Sequence, residues 1–114
     1  MKESPIFTKT FDLLAWLLPM SLKFPREQRF VLAGRLQNAA FNFYEDITSA
    51  GLGHNTGRSL EQADVELQRL RLYLRLSHQL KLLSIGQYEH AARMIVEIGK
   101  LLGGWRKSSA KADT

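Results

Sequence analysis

Apolar residues recur along this chain at helical spacings, and no stretch shows the two-residue alternation of a half-buried strand. A first segment opens at Ser4-Pro5, with serine as an N-cap and proline at the first helical position, where its missing N–H costs nothing. Two apolar rows follow, one of Phe7, Phe11, Leu14, Leu18 and Leu22, the other of Ile6, Leu13, Leu17, Met20 and Phe24. Lys9, Asp12, Trp16, Pro19 and Lys23 make the opposite stripe, so Pro19 is expected on the solvent side, where a helix bends with least loss. Phe24-Pro25 ends the segment, because a residue before proline avoids helical geometry.

The second helix starts at Pro25 and carries a seam of Leu32, Leu36, Ala40, Phe43, Ile47 and Ala50 at spacings of four, four, three, four and three. Arg35, Asn38, Asn42, Glu45 and Ser49 form its wet side; Gly51 is expected to stop it, and "GLGHNTG" reads as a loop. A third helix is expected from Ser59, whose spacing to Gln62 is that of a capping box, to about Leu83. Its first turns carry Glu61, Asp64 and Glu66, the charge sign that suits a helix N-terminus. Ser84, with Gln87 three residues on, caps a fourth helix whose inner row is Tyr88, Ala92, Ile95, Ile98, Leu102 and Trp105. Gly99 and Gly103 lie four apart, and Trp105 continues the row of Ile98 and Leu102. The helix is therefore expected to run through Gly103-Gly104 to about Arg106, with the glycines as a close-packing face and the indole buried. These elements predict an all-α, antiparallel up-down four-helix bundle over residues 1–107, followed by a disordered polar and basic tail over 108–114.

Nine leucines of the third helix, among them Leu67, Leu70, Leu72, Leu74, Leu76 and Leu80, do not share one face. A helix apolar nearly all round calls for cover on more than one side, which a four-helix monomer does not supply. A homo-oligomer follows as the expectation, with exposed surface leucines as the plainer alternative.

Charge sharpens the picture. The chain carries 16 Lys and Arg against 11 Asp and Glu, and the excess is segregated. No acid occurs between Glu66 and Glu89, where Arg69, Arg71, Arg75 and Lys81 lie, nor from Ile98 to Ala112, where Lys100, Arg106, Lys107 and Lys111 lie. Arg71, Arg75 and His78, at spacings of four and three, share one sector of the third helix with Lys81 at its edge. Cations so placed repel one another unless an anion faces them. Nucleic-acid phosphates or an acidic partner would supply it, as would an Asp or Glu of another helix or subunit. Arg26 and Arg29 extend a basic rim at one end, with Glu27 beside them, while Arg93 is flanked four residues away by Glu89 and Glu97 and reads as an ion-pair row. Trp16 reads as cover for neighbouring apolar surface, with a partner contact as the alternative.

Chemistry of other kinds has little support. His54, His78 and His90 are isolated, no HExxH or Glu-x-x-His pair occurs, and there is no cysteine for a disulfide, a metal or a thiolate. Asp12, Glu45 and Asp46 fall on outward stripes, and the glycines form no phosphate loop. No catalytic residue, metal site or cofactor is expected, and no small-molecule substrate. No apolar run reaches membrane-span length, and the weak signal-like N-terminus is broken by Asp12, so a cytoplasmic location is the expectation.

The segments "FDLLAWLLPMSLKFPREQRFVLAGRL", "LEQADVELQRLRLYLRLSHQLKLLS" and "IVEIGKLLGGW" resemble the accessory variability determinant (Avd) proteins of diversity-generating retroelements. These proteins sit within a wider group of small four-helix bundles that includes proteins encoded in ribosomal RNA intervening sequences. The resemblance covers roughly residues 10 to 107, and its most specific parts are Phe24-Pro25-Arg26, Leu70-Arg71-Leu72 through Arg75-Leu76, and Leu102-Gly103-Gly104-Trp105. It implies a pentameric barrel of four-helix protomers, without a catalytic centre, that associates with the element's reverse transcriptase and binds nucleic acid during mutagenic copying of a template repeat. By position it implies that Arg71 and Arg75 contact the polymerase or RNA, and that Gly103, Gly104 and Trp105 serve packing. Without a polymerase partner, the alternatives are an intervening-sequence-type bundle protein or a structural adaptor.

Overall fold

A computed structural model describes residues 4–112. Helix α1 is Pro5–Ser21. Helix α2 is continuous through Arg26–Gln28, a π-helical turn Arg29–Ala33, and Gly34–Gly51. Helix α3 is Thr56–Gln79 and α4 is Ile85–Ala112. The described residues include no strand. Each helix packs on the next, and α1 packs on α4, which closes a four-helix arrangement about 48 Å long. Connections of four or five residues leave successive helices antiparallel.

The seam of α2 is buried throughout, from Leu32 to Ala50. Leu60, Leu67, Leu70 and Leu74 of α3 meet it, with Ala91, Ile95, Ile98 and Leu102 of α4 and Ile6, Leu13, Leu17 and Met20 of α1. Of the two rows expected on α1, only the second is core throughout. Phe11 and Leu22 of the first are each 62% exposed, because α1 turns a single stripe toward its neighbours. Pro19 is exposed, as its place in the polar stripe predicts. Buried hydroxyls bond back along their own helices, Thr10 to Ile6 O at 2.7 Å and Ser77 to Tyr73 O at 2.7 Å.

The π turn has a cause in the sequence. In an unbroken α-helix Arg29 would lie three residues before Leu32 and seven before Leu36, on the buried seam. A guanidinium there would be buried in the apolar core at a high desolvation cost. The Gly34 N–H bonds instead to Arg29 O, five residues back, and Arg29 is exposed, as is Phe30.

Several boundaries differ from the sequence expectation. Helix α2 ends at Gly51 as expected, and the left-handed turn that follows falls on Gly53, at φ 82°. Helix α3 begins three residues before Ser59, behind Asn55 at φ 44°; the Ser59 hydroxyl donates to His54 O and caps nothing. At its other end α3 finishes at Gln79. Lys81, at φ 63°, occupies the left-handed position of a Schellman turn, with Lys81 N–H on His78 O and Leu82 N–H on Ser77 O. The Ser84–Gln87 capping box forms in both directions, at 2.9 and 3.1 Å.

Helix α4 runs through Gly103-Gly104 as expected, and then continues to Ala112. The expected disordered tail is therefore helical from 108 to 112, where Ser109 and Ala110 lie beside Gly57 and Leu60 of α3; residues 113 and 114 lie outside the described residues. Trp105 is half-buried, with Phe7 6.1 Å away between ring centres and Gly51 beneath both rings. Gly103 and Gly104, expected to permit close packing, are exposed with open space where a β-carbon would stand. Of the three α4 glycines Gly99, Gly103 and Gly104, Gly99 alone is closely approached.

Candidate functional site

Helices α3 and α4 leave a groove of about 440 Å³ between them, walled by Arg71 and Arg75 and floored by Leu74, Ala92 and Ile95. Arg71 and Arg75 are one helical turn apart, and both are exposed. Among the described residues neither has an acid within ion-pair distance. The Arg71 side chain is seated on α4. A β-carbon built at Gly99 would stand 2.7 Å from its Nη2 and 3.6 Å from Leu67 Cδ2. The missing side chain of Gly99 is what lets the guanidinium lie there. Below the arginines the His78 ring stacks on Tyr88, with centres 4.8 Å apart and planes at 10°.

The other cations expected in the site lie elsewhere. Lys81 sits in the turn after α3, off the helical sector that holds Arg71 and Arg75. Arg26 and Arg29 occupy the first turns of α2, at the end of the bundle where the α3–α4 turn also lies. Arg106 and Lys107 are near the opposite end, where Arg106 pairs with Asp64 at 3.4 Å. Arg69 pairs with Glu66 at 2.6 Å. The ion-pair row expected around Arg93 does not form, because Glu97 meets Lys9 at 2.8 Å, and that hydrogen bond and charge hold its carboxyl below the usual range. Trp16 is half-buried against His90, ring centres 5.1 Å apart, which is the covering role.

Sequence spacing did not indicate the polar cluster on the α2–α3 face. Glu66 is 7% exposed, accepting from Asn42 Nδ2 at 3.3 Å as well as from Arg69. Burial, then the charges of Glu66 and Glu45, push the Asp46 carboxyl up from its ordinary value. The only signal for this cluster was the pair of acids at 45 and 46 on the wet side of α2.

Outward of the groove, Val65, Leu72, Leu76 and Leu80 are between 42% and 58% exposed, the uncovered ridge that the all-round leucine pattern of α3 predicts. Among the described residues no helix is long and apolar enough to cross a membrane, and no three His, Asp or Glu side chains converge on a metal-sized site. An arginine-walled, apolar-floored groove is suited to binding an anionic partner. Comparison with curated proteins finds no match. The family model described as bAvd-like matches residues 6–109, which takes in all four helices, the α3 arginines and the glycine–tryptophan segment of α4. By that match over nearly its whole length, the chain belongs to the bAvd-like family.

Proposed function

We propose that this chain is a non-catalytic accessory protein of a diversity-generating retroelement. It binds the element's reverse transcriptase and nucleic acid, template RNA or cDNA, and so supports mutagenic copying into a variable gene. Membership of the bAvd-like family carries the reading. The α3 arginines support it, since Arg71 and Arg75 stand exposed and without an acid on a groove. Phosphate contacts of this kind position a strand without reading its sequence, so binding is indifferent to sequence and weakens steeply with salt. The uncovered ridge of Val65, Leu72, Leu76 and Leu80 supports assembly into a homo-oligomer, for which the family resemblance gives a pentamer. The working location is the cytoplasm, where the polymerase and its template would be met.

Co-purification with the reverse transcriptase encoded beside it, alongside native mass and strand binding at several salt concentrations, tests the proposal. Arg71→Glu with Arg75→Glu abolishes polymerase or RNA binding while helicity and native mass stay unchanged. Loss of the oligomer in that variant would make the two arginines subunit contacts instead.

A further inference from the structure

We propose that the end of the bundle where α1 turns into α2 holds a single nucleic-acid strand, with the Phe30 ring as a stacking surface for a base and Lys23, Arg26 and Arg29 as contacts to its phosphates. The inference rests on the reading that this protein handles nucleic acid, and gives that role a place and a strand type.

Phe30 is 85% exposed, the most exposed of the large apolar side chains. It lies in the π turn Arg29–Ala33, beside the exposed Arg29. Such turns occur often at functional sites. A phenylalanine left in water forgoes the burial that its surface would otherwise supply. Its surroundings are cationic. Between Asp12 and Glu45 the chain's single acid is Glu27, against Lys23, Arg26, Arg29 and Arg35. Lys23, Arg26 and Arg29 are exposed, and among the described residues none has an acid within ion-pair distance. Arg26 and Phe30 are four residues apart and Arg29 adjoins the ring, so charge and ring occupy one turn of helix. Lys81, in the turn between α3 and α4, adds positive charge at the same end.

An aromatic face set among cations is what a single strand needs, because every base offers a π-face and every link a phosphate. A duplex keeps its base faces inside the stack, so the ring discriminates in favour of single strands. The α3–α4 groove is less suited to bases, since the ring of Tyr88 on its lining is already stacked on His78.

The test is fluorescence anisotropy with a labelled oligouridine and a duplex of equal length, on the wild type, Phe30→Ala, Phe30→Trp, and Arg26→Gln with Arg29→Gln, each checked for native mass. Phe30→Ala is expected to weaken single-strand binding about ten-fold or more and leave duplex binding unchanged. Phe30→Trp is expected to bind as well as wild type, with indole emission quenched on binding beyond any change from Trp16 and Trp105. Removing the two arginines is expected to lower the salt slope by about 1.4, or 0.7 for each phosphate contact. Unchanged single-strand affinity in Phe30→Ala, absence of quenching in Phe30→Trp, or a fall in native mass on losing the ring would each overturn the site. If the wild type binds no strand at low salt, this site and the nucleic-acid half of the proposed function fall together, and polymerase capture stands apart. If the wild type binds and Phe30→Ala is silent, this site alone falls.

Discussion

The guanidinium of Arg71 on α3 occupies the space that a side chain at Gly99 on α4 would fill, with Nη2 only 2.7 Å from where a β-carbon would stand. The glycine thereby sets the direction in which the arginine's charge points.

Gly99→Ala separates stability from binding. Alanine in a helix interior is about 1 kcal/mol better than glycine. The group it displaces is the far end of a flexible side chain, which moves at little cost. Urea unfolding should show Gly99→Ala as stable as the wild type or up to about 1 kcal/mol more so, while capture of polymerase or RNA declines because Arg71 has been moved. A variant that is destabilised and still binds fully would contradict this.

The helices themselves were legible in the spacing. Leu32 to Ala50 gave the α2 seam, and the row Ile98, Leu102, Trp105 carried α4 past two glycines that would otherwise read as a stop. What spacing could not show is which partner occupies the space beside a residue. Gly99 reads as small, but its neighbour Arg71 is on another helix and 28 residues away in sequence. On α1, two adjacent apolar rows read alike, and only packing against α2 and α4 selects Ile6, Leu13 and Leu17 over Phe11 and Leu22. Ser59 has the residue type and spacing of a cap, yet its hydroxyl is drawn to His54 O, and the helix starts at Thr56. Arg71, Arg75 and His78 share one sector of α3, as their spacing predicts. Lys81 does not share it, because its left-handed backbone lies beyond the end of the helix.

Trp105→Ala should cost about 2–3 kcal/mol in unfolding free energy, since the indole is half-buried against Phe7 and over Gly51. The loss should appear as a lower urea midpoint at unchanged slope. A loss below about 0.5 kcal/mol would mean that the ring contributes only surface cover.

Lys81→Gly should stabilise the fold. At φ 63° a lysine holds a conformation that glycine adopts without steric cost, offset in part by glycine's greater freedom when unfolded. A gain of about 0.5–1 kcal/mol is expected by chemical denaturation, and any loss would point to a contact of the lysine side chain.

Asp46→Asn probes the polar face of α2 and α3. Burial and the neighbouring Glu66 and Glu45 raise this carboxyl above its ordinary 3.8. A raised folded-state value favours the protonated form, so Asp46 supports folding below about pH 3.8 and that support is lost as pH rises through the folded value. At neutral pH the asparagine variant should therefore be the more stable, by about 0.5 kcal/mol or less because solvent screens the site. Its advantage should shrink on acidification, as followed by thermal melts across the acid range. An advantage that grows at low pH would reverse the assignment.

The π turn also bears on how the gene for such a chain tolerates change. Helix α2 carries one residue more between Arg29 and Ala33 than an α-helix would use, so deletion of a single codon there leaves a helix that closes normally. The rest of the helix would keep its register, because the π turn already absorbs the extra residue. Phe24, the buried anchor of the preceding turn, would stay on the core. An in-frame loss of three bases at this point thus spares both backbone and core, whereas loss of one codon elsewhere in the helix would rotate everything before it by about 100°.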